Sequence, residues 1–320
     1  MKQSGADILR LWVVGSDYSE DLRVGPEILK HQSDVYRRLR NTLRYLLGAL
    51  DGFSAAEAAG IEAMPELERW VLHRLAELDA LVRRAVEDFD FHGMFTALHN
   101  FCAVDLSAFY FDIRKDRLYC DAPDDIRRRA ARTVLDRTFE ALARWLAPII
   151  CFTAEEAWLA RHGDAPGLSV HLELFADIPA DWLDPALGER WAVLRDLRRV
   201  VTGALELERG AKRLGSSLQA AVEIFVPERF ANLVDEIDVA ELCITSAGTV
   251  RFDPPPGDAF ALPDVPDIAV RVTAAPGERC ERCWRVLPEV GELAGHPDLC
   301  RRCAAVVEAQ GAACGPTSAG

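Results

Sequence analysis

Apolar residues recur with helical spacing along most of residues 26–160. In residues 35–50, advancing about 100° per residue places leucines on one side of the helix and arginines on the other. Helices are predicted to begin at Pro26, Pro65 and Pro123, because proline is well tolerated in the first helical turn. The short joints between these segments predict about four or five antiparallel helices in a bundle.

Two segments near the end of this region carry signals of their own. Thr153 and Glu156 are spaced as a capping box, which predicts that a helix begins at Thr153. Residues 169–175 alternate apolar and polar side chains, which predicts a lone strand or an extended closing segment. A further helix is predicted over residues 188–210.

After residue 210 the pattern changes from helical spacing to short runs of β-type sequence. Strands are predicted at 218–226, 242–246, 249–252 and 268–275, with a helix at 228–238 between the first two. This mixture predicts a small α+β subdomain over residues 211–275.

Composition restricts the possible functions without selecting one. Half of the residues are hydrophobic and 28% are charged, as in a soluble globular protein. The net charge of −14 argues against a general nucleic-acid coat protein, but it permits a local basic surface because charges act over about 8–10 Å. No apolar run has the length of a membrane span, and the N-terminus has no signal core. We therefore expect a cytoplasmic protein without a membrane partner.

Four of the nine cysteines form two C-x-x-C pairs, Cys280 with Cys283 and Cys300 with Cys303. Two such turns supply four thiolates, which is the tetrahedral shell that Zn²⁺ prefers. A shell of four sulfur atoms leaves no position for water, so one structural zinc ion is predicted. An iron–sulfur or rubredoxin-like centre and a dithiol redox pair are the alternatives. His296 lies between the pairs but is not needed as a ligand.

Two surfaces carry candidate RNA-binding residues. At the first cysteine pair, Trp284 is flanked by Arg282 and Arg285, a combination that stacks on bases and binds phosphates. The polar face of the helix at 35–50 carries four basic side chains and an amide, without an acid: Arg37, Arg38, Arg40, Asn41 and Arg44. For both surfaces the alternative is an ordinary solvent-exposed protein surface that binds no RNA. No nucleotide-binding loop or nucleophile elbow is present, so no catalytic residue is predicted.

Several sequence blocks, in their order, resemble the class I aminoacyl-tRNA synthetases from Ser4 to about Val307. They are "SGADILRLWVV", "YRRLRNTLRYLL", "APIICFTAEEAW", "SVHLELF", "KRLGSSLQAAVEIFV" and "GERCERCW…LCRRC". The resemblance implies a mainly α protein: an antiparallel helical bundle of the class I anticodon-binding type, a small α+β junction and a C-terminal four-cysteine zinc module.

The resemblance also implies a division into five segments. They are 1–25, a stem-contact joint to a catalytic body; 26–185, the anticodon-binding bundle; 186–275, the junction; 276–307, the zinc module; and 308–320, a disordered tail.

The HIGH and KMSKS motifs of the class I catalytic domain and the editing domain do not occur in this sequence. The resemblance therefore implies that this chain alone is inactive and that ATP binds only to a catalytic domain outside it. The implied partners are a tRNA and that catalytic part, in cis or in trans, and not DNA. A free-standing zinc-containing protein that binds structured RNA or serves as a scaffold is the alternative.

Overall fold

The computed structural model describes residues 5–17 and 21–313, and helices dominate it. The chain forms two compact units. One comprises Met1–Arg114 and Pro123–Pro185, and the other comprises Lys115–Ala122 and Ala186–Gly320. Residues 115–122 thus belong to the second unit, although they lie in a stretch whose neighbours on both sides belong to the first. The five predicted segment boundaries stay predictions.

Helices make up most of the described part of residues 5–162. Within the part that the structure describes they are α1 (Gly5–Val14), α2 (Pro26–Ala49), α3 (Glu66–Glu87), α4 (Phe91–Asn100), a π-helical segment (Phe101–Tyr110), α5 (Phe111–Cys120), α6 (Ile126–Leu146) and α7 (Cys151–His162). The largest fully buried side chains of the first unit come from α3, α6 and the π-helical segment: Trp70, Trp145, Tyr110, Phe101 and Phe139. The predicted helical bundle is confirmed.

In α2, the apolar side of residues 35–50 is buried and the basic side is exposed, as the amphipathic pattern predicts. Proline occupies the first turn of this helix, where its missing N–H is not needed. Leu39, Leu43 and Leu46 are at most 2% exposed, whereas the arginines of the opposite face are exposed. Burial of this leucine face fixes the basic face toward solvent.

The N-terminus of α7 is capped differently from the prediction. The helix begins at Cys151, and Thr153 is not its cap. Asp7 of α1 provides the capping oxygen instead, accepting hydrogen bonds from the Thr153 backbone N–H at 3.0 Å and hydroxyl at 2.9 Å. The capping box is therefore wrong, because a carboxylate 146 residues away satisfies the free N–H groups of the first turn.

Residues 169–175 do not form a strand. Val170–Leu172 is one 3-10 turn, and its start is held by Glu155, which accepts hydrogen bonds from the Val170 N–H and the Ser169 hydroxyl, both at 3.0 Å. Val170 is buried, whereas Leu172 and Leu174 are 73% and 87% exposed. The alternation is present in the sequence, but the Glu155 carboxylate accepts the Val170 N–H, and residues 170–172 close a 3-10 turn.

The second unit contains α8 (Pro185–Gly210) followed by a four-stranded sheet. Its strands are β1 (Ala220–Phe225), β2 (Ala247–Arg251), β3 (Phe260–Leu262) and β4 (Val265–Ala274), in the order β2-β1-β4-β3. β1 is parallel to β2, and β4 is antiparallel to both β1 and β3. Gly203 of α8 lets the Phe260 ring approach, since a Cβ at this position would lie 2.9 Å from it.

Three further helices complete the second unit as described: α9 (Ala231–Val234), α10 (Val239–Cys243) and α11 (Arg301–Ala313). The predicted strand at 242–246 is wrong, because α10 ends there and Ile244 adopts the left-handed conformation with φ of 56°. The apolar residues Leu242 and Cys243 of this segment are buried at the end of α10 and not in a sheet.

Residues 308–313, the beginning of the predicted disordered tail, are helical in the structure. Helix α11 continues through them, as expected of an alanine-rich segment whose first turn is already fixed. Residues 314–320, which include Cys314, lie outside the described residues. No helix in the described ranges is long and apolar enough to cross a membrane.

A buried ion pair holds α3 and the end of the first unit's helical run together. The Glu68 carboxylate is fully buried and receives two hydrogen bonds from the Arg114 guanidinium, one of them 2.7 Å long. The Tyr110 hydroxyl donates a third at 3.0 Å. Burial raises the pKa of Tyr110, so this phenol stays protonated and remains a donor.

We expect Arg114→Met to lower the free energy of unfolding by roughly 3–5 kcal/mol, because it leaves a buried carboxylate without its counter-charge. Urea denaturation followed by circular dichroism measures this change. The matched control is the double variant Glu68→Met with Arg114→Met, which removes both charges and should be less destabilised than the single variant. Equal stability of Arg114→Met and the native chain would contradict the assignment.

Candidate zinc centre and nucleic-acid interface

The first cysteine pair lies in a tight turn between two short strands, β5 (Glu278–Arg279) and β6 (Val286–Leu287). The Trp284 N–H donates to the Cys280 carbonyl at 2.8 Å and closes the turn. Gly277 at the start of the hairpin has a φ of 107°, and a Cβ there would lie 2.3 Å from the Leu287 backbone. Only glycine fits this position, so the hairpin brings both cysteines to one side.

The second cysteine pair opens α11. Cys300 immediately precedes the helix, and Cys303 lies in its first turn. The Cys300 backbone N–H donates to the Cys280 sulfur at 3.3 Å, which joins the two pairs.

The four sulfur atoms meet in one buried cluster. All four Sγ atoms lie within 4.8 Å of one another, and all four residues are buried. Tetrahedral zinc with Zn–S bonds of about 2.3 Å places its sulfur ligands about 3.8 Å apart. The Cys283 and Cys300 Sγ atoms are 3.8 Å apart. The four cysteines therefore fit Zn²⁺, which would act there as a structural cross-link between the hairpin and the helix.

Within the ranges that the structure describes, this is the only group of three or more Cys, His, Asp or Glu side chains able to hold a metal. His296 is not part of it; its imidazole lies 3.6 Å from the Glu308 carboxylate. The interpretation of His296 as a bystander agrees with this placement.

The short distances between the sulfur atoms raise the pKa values of two of the cysteine thiols. Contact with the Cys300 sulfur raises the pKa of Cys283 to about 11. Contact with Cys120, and then with Cys283, raises the pKa of Cys303. Zinc displaces such protons when it binds thiols, so its affinity for the cluster rises with pH.

A fifth cysteine, Cys120, lies in the same buried cluster beside the two pairs. Its thiol contacts Cys303 and is 3.8 Å from the Arg282 carbonyl. The apolar side chains Val290, Leu299 and Ala304 surround the cluster and keep water away. The sequence interpretation missed Cys120, treating it as one of five scattered cysteines, since it lies 160 residues from the nearest ligand.

Ion pairs join residues 115–122 to α11 inside the second unit. The Arg302 guanidinium binds the Asp116 carboxylate at 2.6 and 2.9 Å and the Asp121 carboxylate at 3.0 Å. Arg117 binds the Glu241 carboxylate at 2.7 and 3.0 Å. These ion pairs fix the segment that carries Cys120 against the cysteine cluster.

The three predicted RNA-binding residues of the zinc module differ in their availability. Arg282 donates to the backbone carbonyls of Tyr119 and Cys120, and Arg285 donates to that of Ser246 at 2.8 Å. Both arginines thus hold the hairpin in place. Trp284, in contrast, is 62% exposed and has a φ of 65°, a strained conformation for a bulky residue.

The five predicted residues of α2 are all exposed. The face is not free of acids, however: Arg37 pairs with Asp34 at 3.2 Å, and Arg40 lies 3.5 Å from Glu156. Among the described residues, Arg38 and Arg44 have no carboxylate at ion-pair distance. RNA contact by any residue of this face, Asn41 included, stays a prediction.

Removal of the metal should unfold the zinc module selectively. We expect a purified preparation to contain one zinc per chain, and a strong chelator to expose residues 276–307 to protease while the helices of the first unit keep their circular dichroism. The physical reason is that metal binding to such sites supplies apparent free energies of about 10–16 kcal/mol.

Two cysteine variants provide the matched comparison. Cys303→Ala removes a ligand and should abolish stoichiometric zinc, measured by atomic absorption. Cys120→Ala removes an equally buried sulfur from outside the set of four and should retain one zinc. Retention of zinc by Cys303→Ala, or resistance of the metal-free tail to protease, would contradict the ligand assignment.

Comparison with known protein families agrees with this geometry. Residues 68–224 match the anticodon-binding domain of tRNA ligase, and residues 277–306 match the zinc finger found in FPG and IleRS. The second match contains all four clustered cysteines.

Curated relatives extend the similarity over nearly the whole chain. The isoleucine–tRNA ligase of Gluconobacter oxydans is 54% identical over 95% of this chain and 31% of its own length. That of Ruegeria pomeroyi is 53% identical over 96% of this chain and 32% of its own length. That of Rhodopseudomonas palustris is 50% identical over 93% of this chain and 30% of its own length. The chain spans about a third of the length of these relatives.

The resemblance to class I aminoacyl-tRNA synthetases, and within them to bacterial isoleucyl-tRNA synthetase, is confirmed by these matches. With its buried four-cysteine cluster and its helical bundle, the chain is homologous to the C-terminal region of isoleucine–tRNA ligases.

Proposed function

We propose that this chain is the tRNA-recognition part of an isoleucine–tRNA ligase. It binds the anticodon end of tRNA(Ile), so that the acceptor end reaches a catalytic domain in the N-terminal part of the enzyme, where ATP-dependent aminoacylation takes place. The observation that carries this proposal is the match of residues 68–224 to the anticodon-binding domain of tRNA ligases.

The exposed face of α2 supports a role in binding the RNA backbone. Arg38 and Arg44 point away from the leucine core and, among the described residues, have no ion-pair partner that would have to be displaced. Phosphate oxygens are favourable partners for such guanidinium groups. Contacts of this kind position RNA without reading its sequence.

The zinc hairpin supports a role in base recognition. Trp284 keeps its exposed indole on a turn that is fixed by the Cys280 carbonyl and by the adjoining metal ligand Cys283. An aromatic ring held rigidly in this way loses little conformational entropy when an unpaired base stacks on it. Arg282 and Arg285 contribute by holding the hairpin rather than by donating freely to RNA.

A phosphate contact by Arg44 predicts a loss of affinity that is the same for every tRNA. We expect Arg44→Gln to weaken binding severalfold and to reduce the slope of log affinity against log salt by about 0.7–0.9, since one phosphate contact is lost. Fluorescence anisotropy of labelled transcripts measures both values. Arg69→Gln, an exposed arginine of α3, is the control; an equal effect of both substitutions would rule out a specific contact.

A stacking contact by Trp284 predicts a loss of discrimination. The native chain should bind a tRNA(Ile) transcript more tightly than the same transcript with an altered anticodon. Trp284→Ala should weaken binding by about 1–3 kcal/mol and narrow this difference. Phe252 is another exposed aromatic residue of the second unit. Phe252→Ala should change neither the affinity for the native transcript nor the difference between the two anticodons. Equal binding of native and altered anticodons by the native chain would overturn the proposed function.

A further inference from the structure

The buried cysteine cluster of the second unit contains one sulfur atom more than a tetrahedral zinc shell uses. Cys280, Cys283, Cys300 and Cys303 form the group of four. Cys120 lies beside them in the same buried cluster, and all five are free thiols in the structure. Because four sulfur atoms complete the shell, Cys120 is a nucleophilic group that the proposed function does not use.

Contact with a zinc ligand distinguishes Cys120 from the buried cysteines Cys102 and Cys243, which are not part of this cluster. The Cys120 thiol contacts the Cys303 thiol, and its Sγ is 3.8 Å from the Arg282 carbonyl. A disulfide forms only between sulfur atoms that can approach to about 2.05 Å. Cys303 is therefore a zinc ligand within the reach of Cys120.

The backbone around Cys120 is held against the cysteine cluster by two arginines. Arg282 of the hairpin donates a hydrogen bond to the Cys120 carbonyl. Arg302, the neighbour of Cys303 in α11, binds the carboxylate of Asp121, the neighbour of Cys120, at 3.0 Å. These contacts use neither thiol, so they keep the two sulfur atoms close together while a bond between them forms.

Cys120 is the more accessible of the two cysteines. It is 5% exposed, whereas Cys303 is fully buried. The residue before it in α5, Tyr119, is 69% exposed, so Cys120 lies directly beneath the protein surface. A small oxidant therefore reaches Cys120 before it reaches Cys303.

We propose that Cys120 and Cys303 form an oxidative modification site, at which a peroxide converts the two sulfur atoms into a disulfide and removes one ligand from the zinc. This inference goes beyond the proposed function and requires no RNA contact.

The reaction takes two steps. The Cys120 sulfur first breaks the O–O bond of the peroxide and becomes a sulfenic acid, while hydrogen peroxide leaves as water. The Cys303 thiolate then attacks the Cys120 sulfur, so that the S–S bond forms, the S–O bond breaks and hydroxide leaves. The two sulfur atoms thus supply the two electrons that reduce the peroxide.

The fifth sulfur limits what oxidation removes from the zinc site. A disulfide between two of the four ligands would remove both of them, whereas the disulfide with Cys120 removes Cys303 alone. Cys280, Cys283 and Cys300 remain, and a shell of three sulfur atoms holds zinc more weakly than one of four. Reduction of the disulfide returns Cys303 and restores the complete shell.

The test treats the zinc-loaded chain with hydrogen peroxide and follows zinc release with a chromogenic chelator, relative to release without peroxide. We expect the native chain to release zinc severalfold faster than Cys120→Ser, whose hydroxyl cannot form the disulfide. Dithiothreitol added with zinc should then restore one zinc per native chain. Cys243→Ser replaces another buried cysteine of the second unit and should release zinc as the native chain does. Equal release by the native chain and Cys120→Ser would overturn the proposal.

A second measurement uses the native chain alone and so does not depend on the folding of a variant. Mass spectrometry of unreduced peptides from the oxidised chain should find Cys120 linked to Cys303, in proportion to the zinc released. A disulfide that omits either of these cysteines contradicts the proposal. So does a chain that keeps both its zinc and an alkylatable Cys120 thiol in excess peroxide. Neither measurement uses RNA, so its result is separate from that of the proposed function.

Discussion

The convergence of four buried thiols is the constraint on which the surface of the zinc module depends. It joins a hairpin, the start of α11 and, through Cys120, a segment that precedes them by 160 residues. Burial of four sulfur atoms in an apolar shell is favourable for thiolates only when a cation compensates their charge. A metal bound by these sulfur atoms would therefore stabilise the strained backbone of Trp284, whose conformation costs about 1–3 kcal/mol.

Local signals in the sequence were sufficient for the features that need only neighbouring residues. The leucines of α2 repeat with helical period, so their burial and the exposure of the arginines could be predicted. The two C-x-x-C pairs predicted a cluster of four sulfur atoms for the same reason, because each pair is a single tight turn. The cap of α7 could not be predicted, since Asp7 is 146 residues from Thr153. The alternation at 169–175 did not produce a strand, because a strand also needs a neighbouring strand, and the Val170 N–H donates to the Glu155 carboxylate instead.

In the candidate RNA surfaces, too, contacts between neighbouring residues could be predicted from the sequence and contacts between distant residues could not. Asp34 is three residues from Arg37, so that ion pair was available from the helical spacing. Glu156 is 116 residues from Arg40, and its approach needed the folded chain. The roles of Arg282 and Arg285 changed most, because their partners are backbone carbonyls, which carry no sequence signature.

Membership of residues 115–122 in the second unit has a consequence for synthesis on the ribosome. Arg117 is synthesised before its ion-pair partner Glu241. Asp116 can form its ion pair only after Arg302, 186 residues later in the chain, has been synthesised. At about 5–20 residues per second this delay is on the order of ten seconds or more. During that time the charged groups and the Cys120 thiol of this segment are without their native partners. Completion of the second unit is therefore a late, long-range step, and Cys120 is exposed to oxidants in the nascent chain until it occurs.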